Sequence, residues 1–351
     1  MTYAAEKLVD WQTAVKVGSR VAGRGTPLTS IDRARLQEDF AEVVPEADTL
    51  VQSLTGMTPK GYRARPWVMN RQDWIKANVR GFEQILEPFA KRVLEHRTEG
   101  SLASVRRSVL GAQLGGLLGY LGHRVLGQYD VFLPPDDEGL IYFVGPNIAG
   151  LERKFGFPAR EFRLWVSLHE VAHRVQFGAV PWLRDHVAGM VEEYLGSVEM
   201  DPKWLMDGVR RAVEELRAGK AEWRGLGWVF LLMTPSQRDI VRRLQAVMAL
   251  LEGHGNFAMN EASKGRVEHA DMFQRRLHER RNRRGVEAAF HKAIGFDVKV
   301  RQYDIGQRFV SVVVDRVGID GFNRVWESPA NLPTLEEMGE PLSWVERVGA
   351  A

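Results

Sequence analysis

The stretch VSLHEVAHRVQF, residues 166–177, sets two histidines four positions apart with a glutamate beside the first. It is either a metal-binding helix or an ordinary core helix that carries two imidazoles, and the choice decides both fold and function. On an α-helix, positions four apart lie about 40° from each other around the axis, so His169 and His173 project from one face and can reach one ion. Zinc accepts neutral imidazole nitrogens at ~2.0–2.1 Å, a reach this spacing satisfies. Glu170 sits about 100° from His169, too far round for a comfortable ligand and well placed for a general base acting on water. With nine histidines and 45 acidic residues in 351, His-acid-x-x-His arises by chance in only about 0.03 chains of this composition.

The flanks bracket the helix. Pro158 suits a first turn, Gly178 a C-terminal cap and Pro181 the residue beyond, which gives a helix of roughly 20 residues. Phe162, Trp165, Val166 and Phe177 share one stripe, and the two histidines fall in its middle. Burying a polar group without a partner costs on the order of a few kcal/mol, and one metal ion would satisfy both rings. The structural alternative is a pair of core histidines hydrogen-bonded to backbone or carboxylates.

A second helix opens at TPSQ, where Thr234 and Gln237 form a capping box around Pro235, and runs through RDIVRRLQAVMALLEGHGNFAMNEA. Val241, Leu244, Met248 and Met259 share a stripe on it, and Glu252 falls about 20° from Val241, inside that face. An ionised carboxylate there is tolerable when paired or metal-bound, which makes Glu252 the candidate third ligand. Glu261 is the alternative. It lies about 180° around the helix from Glu252, so both can face one site only if Gly253 and Gly255 break the helix.

The composition narrows the chemistry. There is no cysteine, which excludes disulfides, thiolate zinc sites, iron–sulfur clusters and cysteine nucleophiles. A formal charge of +3 argues against a dedicated nucleic-acid binder. The one basic concentration is QRRLHERRNRRGVE, residues 274–287, which reads as a solvated helix face because no aromatic residues interleave its arginines. SVLGAQLGGLLGYLGH is short of the ~20 apolar residues a span requires and is read as a buried helix. Its Gly111, Gly115, Gly119 and Gly122 offer a smooth face for close backbone packing. The N-terminal MTYAAEKLVDWQ has no signal-peptide pattern. The expectation is a cytoplasmic protein with no membrane partner.

Residues 1–128 read as helices separated by breaks such as LTGMTPKGYRARP. Leu140–Val144 is the clear strand in the first half, and VKVRQYDIGQRFVSVVVDRVG is undecided between strand and helix. The expected fold is mainly α (α+β): an N-terminal helical region over 1–128, a metal-binding core with a small sheet over 129–325, and a turn-rich C-terminal segment over 326–351 that ends in a short helix.

HEVAHRVQF, LLEGH, GQYDVFLP, VGPNI, RQYDIGQRF and NRVWESPANLPT, within matching blocks that run from VDWQ near the start to the last helix, resemble the zincin-like metallopeptidase type 2 family. Members of that family are often labelled hydrolases or linked by name to deazaflavin coenzyme biosynthesis. The resemblance implies a zincin-like core in which His169, His173 and Glu252 hold Zn2+ and Glu170 activates water. Asn256 departs from the family pattern, which usually has Asp at this place and so a carboxylate able to orient a ligating histidine. His254 and Tyr303 are candidate donors to a developing oxyanion. Packing is the alternative role for both, and Tyr303 is offered only through its RQYDIG block.

The function expected is that of a zinc metallopeptidase-like hydrolase acting on a peptide or small amide through water attack on an amide bond. Two His and one carboxylate can also hold Mn, Fe or Co. Two alternatives come from other classes: a catalytically inactive scaffold that binds a protein partner, and an anion or nucleic-acid binder working through 274–287. Oligomeric state is not legible.

Overall fold

The computed structural model describes residues 4–61, 63–95, 103–130, 139–197, 233–281 and 297–349. After a 3-10 turn at Ala4–Lys7 come α1 (Trp11–Ala22), α2 (Ser30–Thr55), β1 (Arg65–Met69), α3 (Arg71–Glu95), α4 (Ala103–Gly122), β2 (Gly127–Tyr129) and β3 (Leu140–Val144). There follow α5 (Gly145–Phe155), α6 (Ala159–Ala179), α7 (Leu183–Ser197), α8 (Pro235–Ser263), α9 (Ala270–Arg281), α10 (Asp297–Asn323), α11 (Leu335–Gly339) and α12 (Pro341–Val348). The fold is mainly helical with one small sheet, α+β as the sequence indicates. Two compact units interleave along the chain: Met1–Ser53, Thr58–Gly178 and Ala262–Phe273 form the first, and Leu54–Met57, Ala179–Glu261 and Gln274–Ala351 the second.

In the first unit the strand expected at Leu140–Val144 is β3, the centre of a sheet ordered β1-β3-β2, parallel to β1 and antiparallel to β2. Its partners escaped the sequence reading for physical reasons. β1 carries Pro66, which only an edge strand tolerates, and β2 is three residues long. Ile141, Tyr142, Phe143 and Val144 are all buried, as in a strand covered on both faces. Phe143 stacks on Phe40 of α2 with ring centroids 3.9 Å apart. Tyr142 and Val144 join a core with Trp11 and Ala14 of α1, Trp74 and Ile75 of α3, and Leu118 of α4. The outer edge of β1 is closed by Gln37 of α2, whose Oε1 accepts the Val68 N–H and whose Nε2 donates to the Pro66 carbonyl, each at 2.8 Å.

The glycines of α4 face α1 as expected. A Cβ on Gly115 would sit 2.4 Å from the Ala14 carbonyl oxygen, and one on Gly111 would strike the backbone of Asp10. The expectation that this helix is buried does not hold. Val105, Val109 and Leu110, turned away from the glycine side, are 58%, 50% and 47% exposed. A segment apolar all round carries no moment to say which side meets solvent. No helix among the described residues is long and apolar enough to cross a membrane.

The helix of the opening stretch is α6. The Phe162 N–H bonds the Pro158 carbonyl at its start. Gly178 is not the left-handed cap that was expected, for it lies inside the helix without a positive φ. Its missing side chain instead admits Pro59, whose Cβ would lie 2.7 Å from a Cβ at 178, while its carbonyl accepts the Lys60 N–H at 2.9 Å. Burial is broader than one stripe: Leu164, Leu168, Val171, Ala172 and Val175 are buried along with Phe162, Trp165 and Val166. Arg174 pairs with Asp48 of α2 at 2.6 Å and fixes the helix in register.

In the second unit the expected capping box is present: Thr234 N–H donates to Gln237 Oε1 at 3.0 Å, and Gln237 N–H to Thr234 Oγ1 at 3.2 Å. The undecided segment is helical, α10, interrupted at Gly318 by φ 73° and ψ 176°. It crosses α8 at two glycines. A Cβ on Gly253 would lie 2.2 Å from the Gly306 carbonyl carbon, and one on Gly306 2.0 Å from the Ala249 oxygen, so neither place admits a side chain. Phe309 packs edge-on against Trp344 of α12, whose indole N–H donates to the Asn331 carbonyl at 2.7 Å.

Candidate metal centre

His169 and His173 meet at right angles on α6, ring centroids 4.7 Å apart, with their Nε2 atoms 3.2 Å from each other. The other nitrogen of His173, Nδ1, lies 2.9 Å from Oε1 of Gln176. An amide oxygen only accepts, so Nδ1 is the protonated nitrogen and Nε2 keeps its lone pair. Two nitrogens each ~2.05 Å from one ion at a tetrahedral angle stand about 3.3 Å apart, close to the separation seen. The donor set therefore fits a divalent cation. Gln176 is fully buried, one turn beyond His173 on the same face. The sequence reading missed it, although the spacing His-x-x-Gln was there to see.

Glu170 is nearly buried, 8% exposed. Its Oε2 accepts the Tyr129 N–H of β2 at 3.2 Å. Gly127, two residues earlier on that edge strand, makes room for it: a Cβ at 127 would lie 2.5 Å from Glu170 Cγ and 2.9 Å from Oε1. Tyr129 is held in turn by stacking on Phe177 of α6, centroids 6.1 Å apart. Gly127 and Tyr129 are the second omission of the sequence reading. Three residues show too little alternation to be read as a strand from the sequence.

His169, His173 and Glu252 each offer a ligand-type atom, and the three atoms all lie within 4.8 Å of one another, the one such group of three among the described residues. The group is half-buried and could hold a metal ion. Helix α8 is unbroken from Pro235 to Ser263, so Gly253 and Gly255 do not interrupt it, and Glu261 stays half a turn away from Glu252. The stripe from which Glu252 was inferred is shallower than expected. Met259 is buried but Val241, Leu244 and Met248 are half-buried, whereas Ile240, Val247 and Leu250 beside them are buried. His254 is fully buried and stacks on Phe322 at 5.4 Å, with Trp326 edge-on at 5.5 Å. Asn256 is half-buried on the same helix. Tyr303 belongs to α10, but its side chain lies outside the described residues. Of the basic run, Gln274, Arg275, Arg276, His278 and Glu279 are exposed on α9, with Arg276 and Glu279 paired at 3.1 Å, and 282–287 lies outside the described residues.

The model of the zincin-like metallopeptidase family matches residues 9–345, and the chain belongs to that family. Among solved structures, a crystal structure described as "a putative hydrolase with a novel fold" from Chloroflexus aurantiacus is similar over 97% of this chain and 99% of that one, with 30% identity and a TM-score of 0.71. No curated protein matches. Family and likeness support a hydrolase-like role for a chain that carries a His-His-Glu group able to bind metal.

Proposed function

We propose that the protein is a zinc-dependent hydrolase of the metallopeptidase type, which cleaves an amide bond in a peptide or small amide. His169, His173 and Glu252 would hold the ion and Glu170 is the general base. The observation that carries this reading is the paired Nε2 atoms 3.2 Å apart, with the His173 tautomer set by Gln176. A zinc ion there supplies Lewis acidity toward water and toward the carbonyl under attack. The chain's own work is the proton. Glu170, held by the Tyr129 N–H, takes it from the attacking water and gives it to the leaving amine nitrogen.

The test combines metal analysis with one variant. Protein purified without added metal should contain about one equivalent of zinc, and His169→Ala should lose it. Glu170→Gln should keep the zinc and lose hydrolysis of a broad amide and peptide panel. Hydrolysis at an unchanged rate in Glu170→Gln would overturn the assignment.

A further inference from the structure

We infer that the α1–α4 pair is a docking face for an anionic membrane surface, on which the protein lies without spanning the bilayer. The first observation is a segregation of charge. Residues 11–31 and 103–129 contain Lys16, Arg20, Arg24, Arg106, Arg107 and Arg124 and no Asp or Glu, in a chain with 45 acidic residues. Three carboxylates flank these windows: Asp10 accepts from the Thr13 N–H and hydroxyl at 2.9 and 2.7 Å and from Ser108 Oγ at 3.0 Å, Asp32 accepts from the Thr29 N–H and hydroxyl at 2.9 Å, and Asp130 is buried. The second observation is where apolar side chains stand in solvent. Val21, Val105, Val109 and Leu110, all on this pair, are between 44% and 58% exposed.

Helix geometry puts these features together. Taking the α4 glycines that meet α1 as the inner side, Val105, Val109, Leu110 and Arg106 occupy an arc from about 80° to 220° around the helix, facing away from the partner. Val21 of α1 borders the pair where it abuts Gly119. Aliphatic side chains interspersed with Lys and Arg, free of carboxylates, are the chemistry of a helix lying in the headgroup region of an anionic bilayer. The length argument that excludes a span does not bear on a helix lying flat. Backbone-close packing at Gly18, Gly111 and Gly115 makes the pair a stiff platform, so docking orders little that is not already ordered. A nucleic acid fits less well. The one aromatic ring of the outer α4 face, Tyr120, already has Arg124 over it at 3.9 Å, and valines offer bases nothing to stack on.

The full-length protein is tested by flotation with vesicles of phosphatidylcholine alone and of phosphatidylcholine with about one-third phosphatidylglycerol. Binding is expected to the mixed vesicles only, and it should weaken as salt rises. Arg106→Glu should weaken it by more than the roughly fivefold that one basic residue contributes near such a surface. The pair Val105→Asp and Val109→Asp should weaken it further, with thermal unfolding unchanged because both positions are exposed. Any of four results overturns the inference: no binding at low salt, equal binding to both vesicles, loss on reversing Arg275 and Arg276 of α9 but not Arg106, or concentration-dependent self-association abolished by Val109→Asp without vesicle binding.

Discussion

The two edges of the small sheet are finished by different chemistry. At β1 the neutral amide of Gln37 gives Val68 an acceptor and Pro66 a donor, and these two backbone groups are matched one for one. At β2 the Tyr129 N–H is met by Glu170, a carboxylate that accepts and cannot donate while ionised. Both arrangements answer the same need, since strand-edge backbone groups require partners. They differ in what else the partner can do. An amide neither gains nor loses charge by proton transfer near neutral pH, whereas a carboxylate can take up a proton and release it. One edge is closed by a residue with only a structural task, and the other by the residue that would carry the chemistry. Damage at the two edges should therefore appear in different measurements.

Glu170→Gln gives the largest effect. The amide oxygen can still accept the Tyr129 N–H, so unfolding by denaturant should barely move and metal content should stay. The proton relay is gone, and turnover should fall by at least 10²–10⁴-fold. Next comes Gly127→Ala. Its new Cβ would sit 2.5 Å from Glu170 Cγ and push the carboxylate aside. A displacement near 1 Å can cost about 10²-fold in rate, with zinc retained. Should Gly127→Ala reduce stability and leave turnover intact, the β2 edge would be as purely structural as the β1 edge, and the contrast would disappear.

How much of this was legible depended on whether a signal was local. The closeness of His169 and His173 was legible because helical periodicity converts a four-residue spacing directly into a shared face, and the same periodicity on α8 singled out Glu252, which does lie in reach of them, although the stripe it was read from is largely half-buried. The strand at Leu140–Val144 was visible because all five residues are apolar and lie between turn residues. Gln37 and Gly127 were not legible, because each matters only through a residue remote in sequence, whereas Gln176, one turn from His173, carried a local signal in its spacing. Gly178 misled for a related reason. A glycine at a helix end suggests a cap, but here it accommodates Pro59, which is remote in sequence. Gly253 does not break its helix but is where α10 crosses α8 at Gly306. A glycine shows that a side chain is not tolerated, and only the fold shows what would be in its way.

Gln176→Leu separates holding the metal from moving the proton. It removes the acceptor of the His173 Nδ1–H at 2.9 Å and frees the ring to turn or to change tautomer. Loss of such an orienting partner typically costs 10–100-fold in metal affinity. Zinc competition with a chelator should show that loss, and turnover at saturating zinc should recover most of its value, unlike that of Glu170→Gln. Weakened turnover with unchanged zinc affinity would mean that Gln176 serves the reaction in some way other than through His173.

The smallest effect, and the one that completes the contrast between the edges, is expected from Gln37→Leu. Leucine keeps much of the packing volume but leaves the Val68 N–H and Pro66 carbonyl without the amide that pairs them. A deeply buried pair would cost several kcal/mol. These groups belong to a half-buried edge strand that water can reach, which brings the expected loss down to about 1 kcal/mol. The change should appear as a lower urea midpoint with an unchanged slope, since the surface exposed on unfolding is the same. Zinc affinity and turnover per folded molecule should not change, because Gln37 touches β1 and not the strand that carries Tyr129. A drop in turnover without a drop in stability would show that the sheet transmits strain from one edge to the other, and that the edge amide supports catalysis through β3.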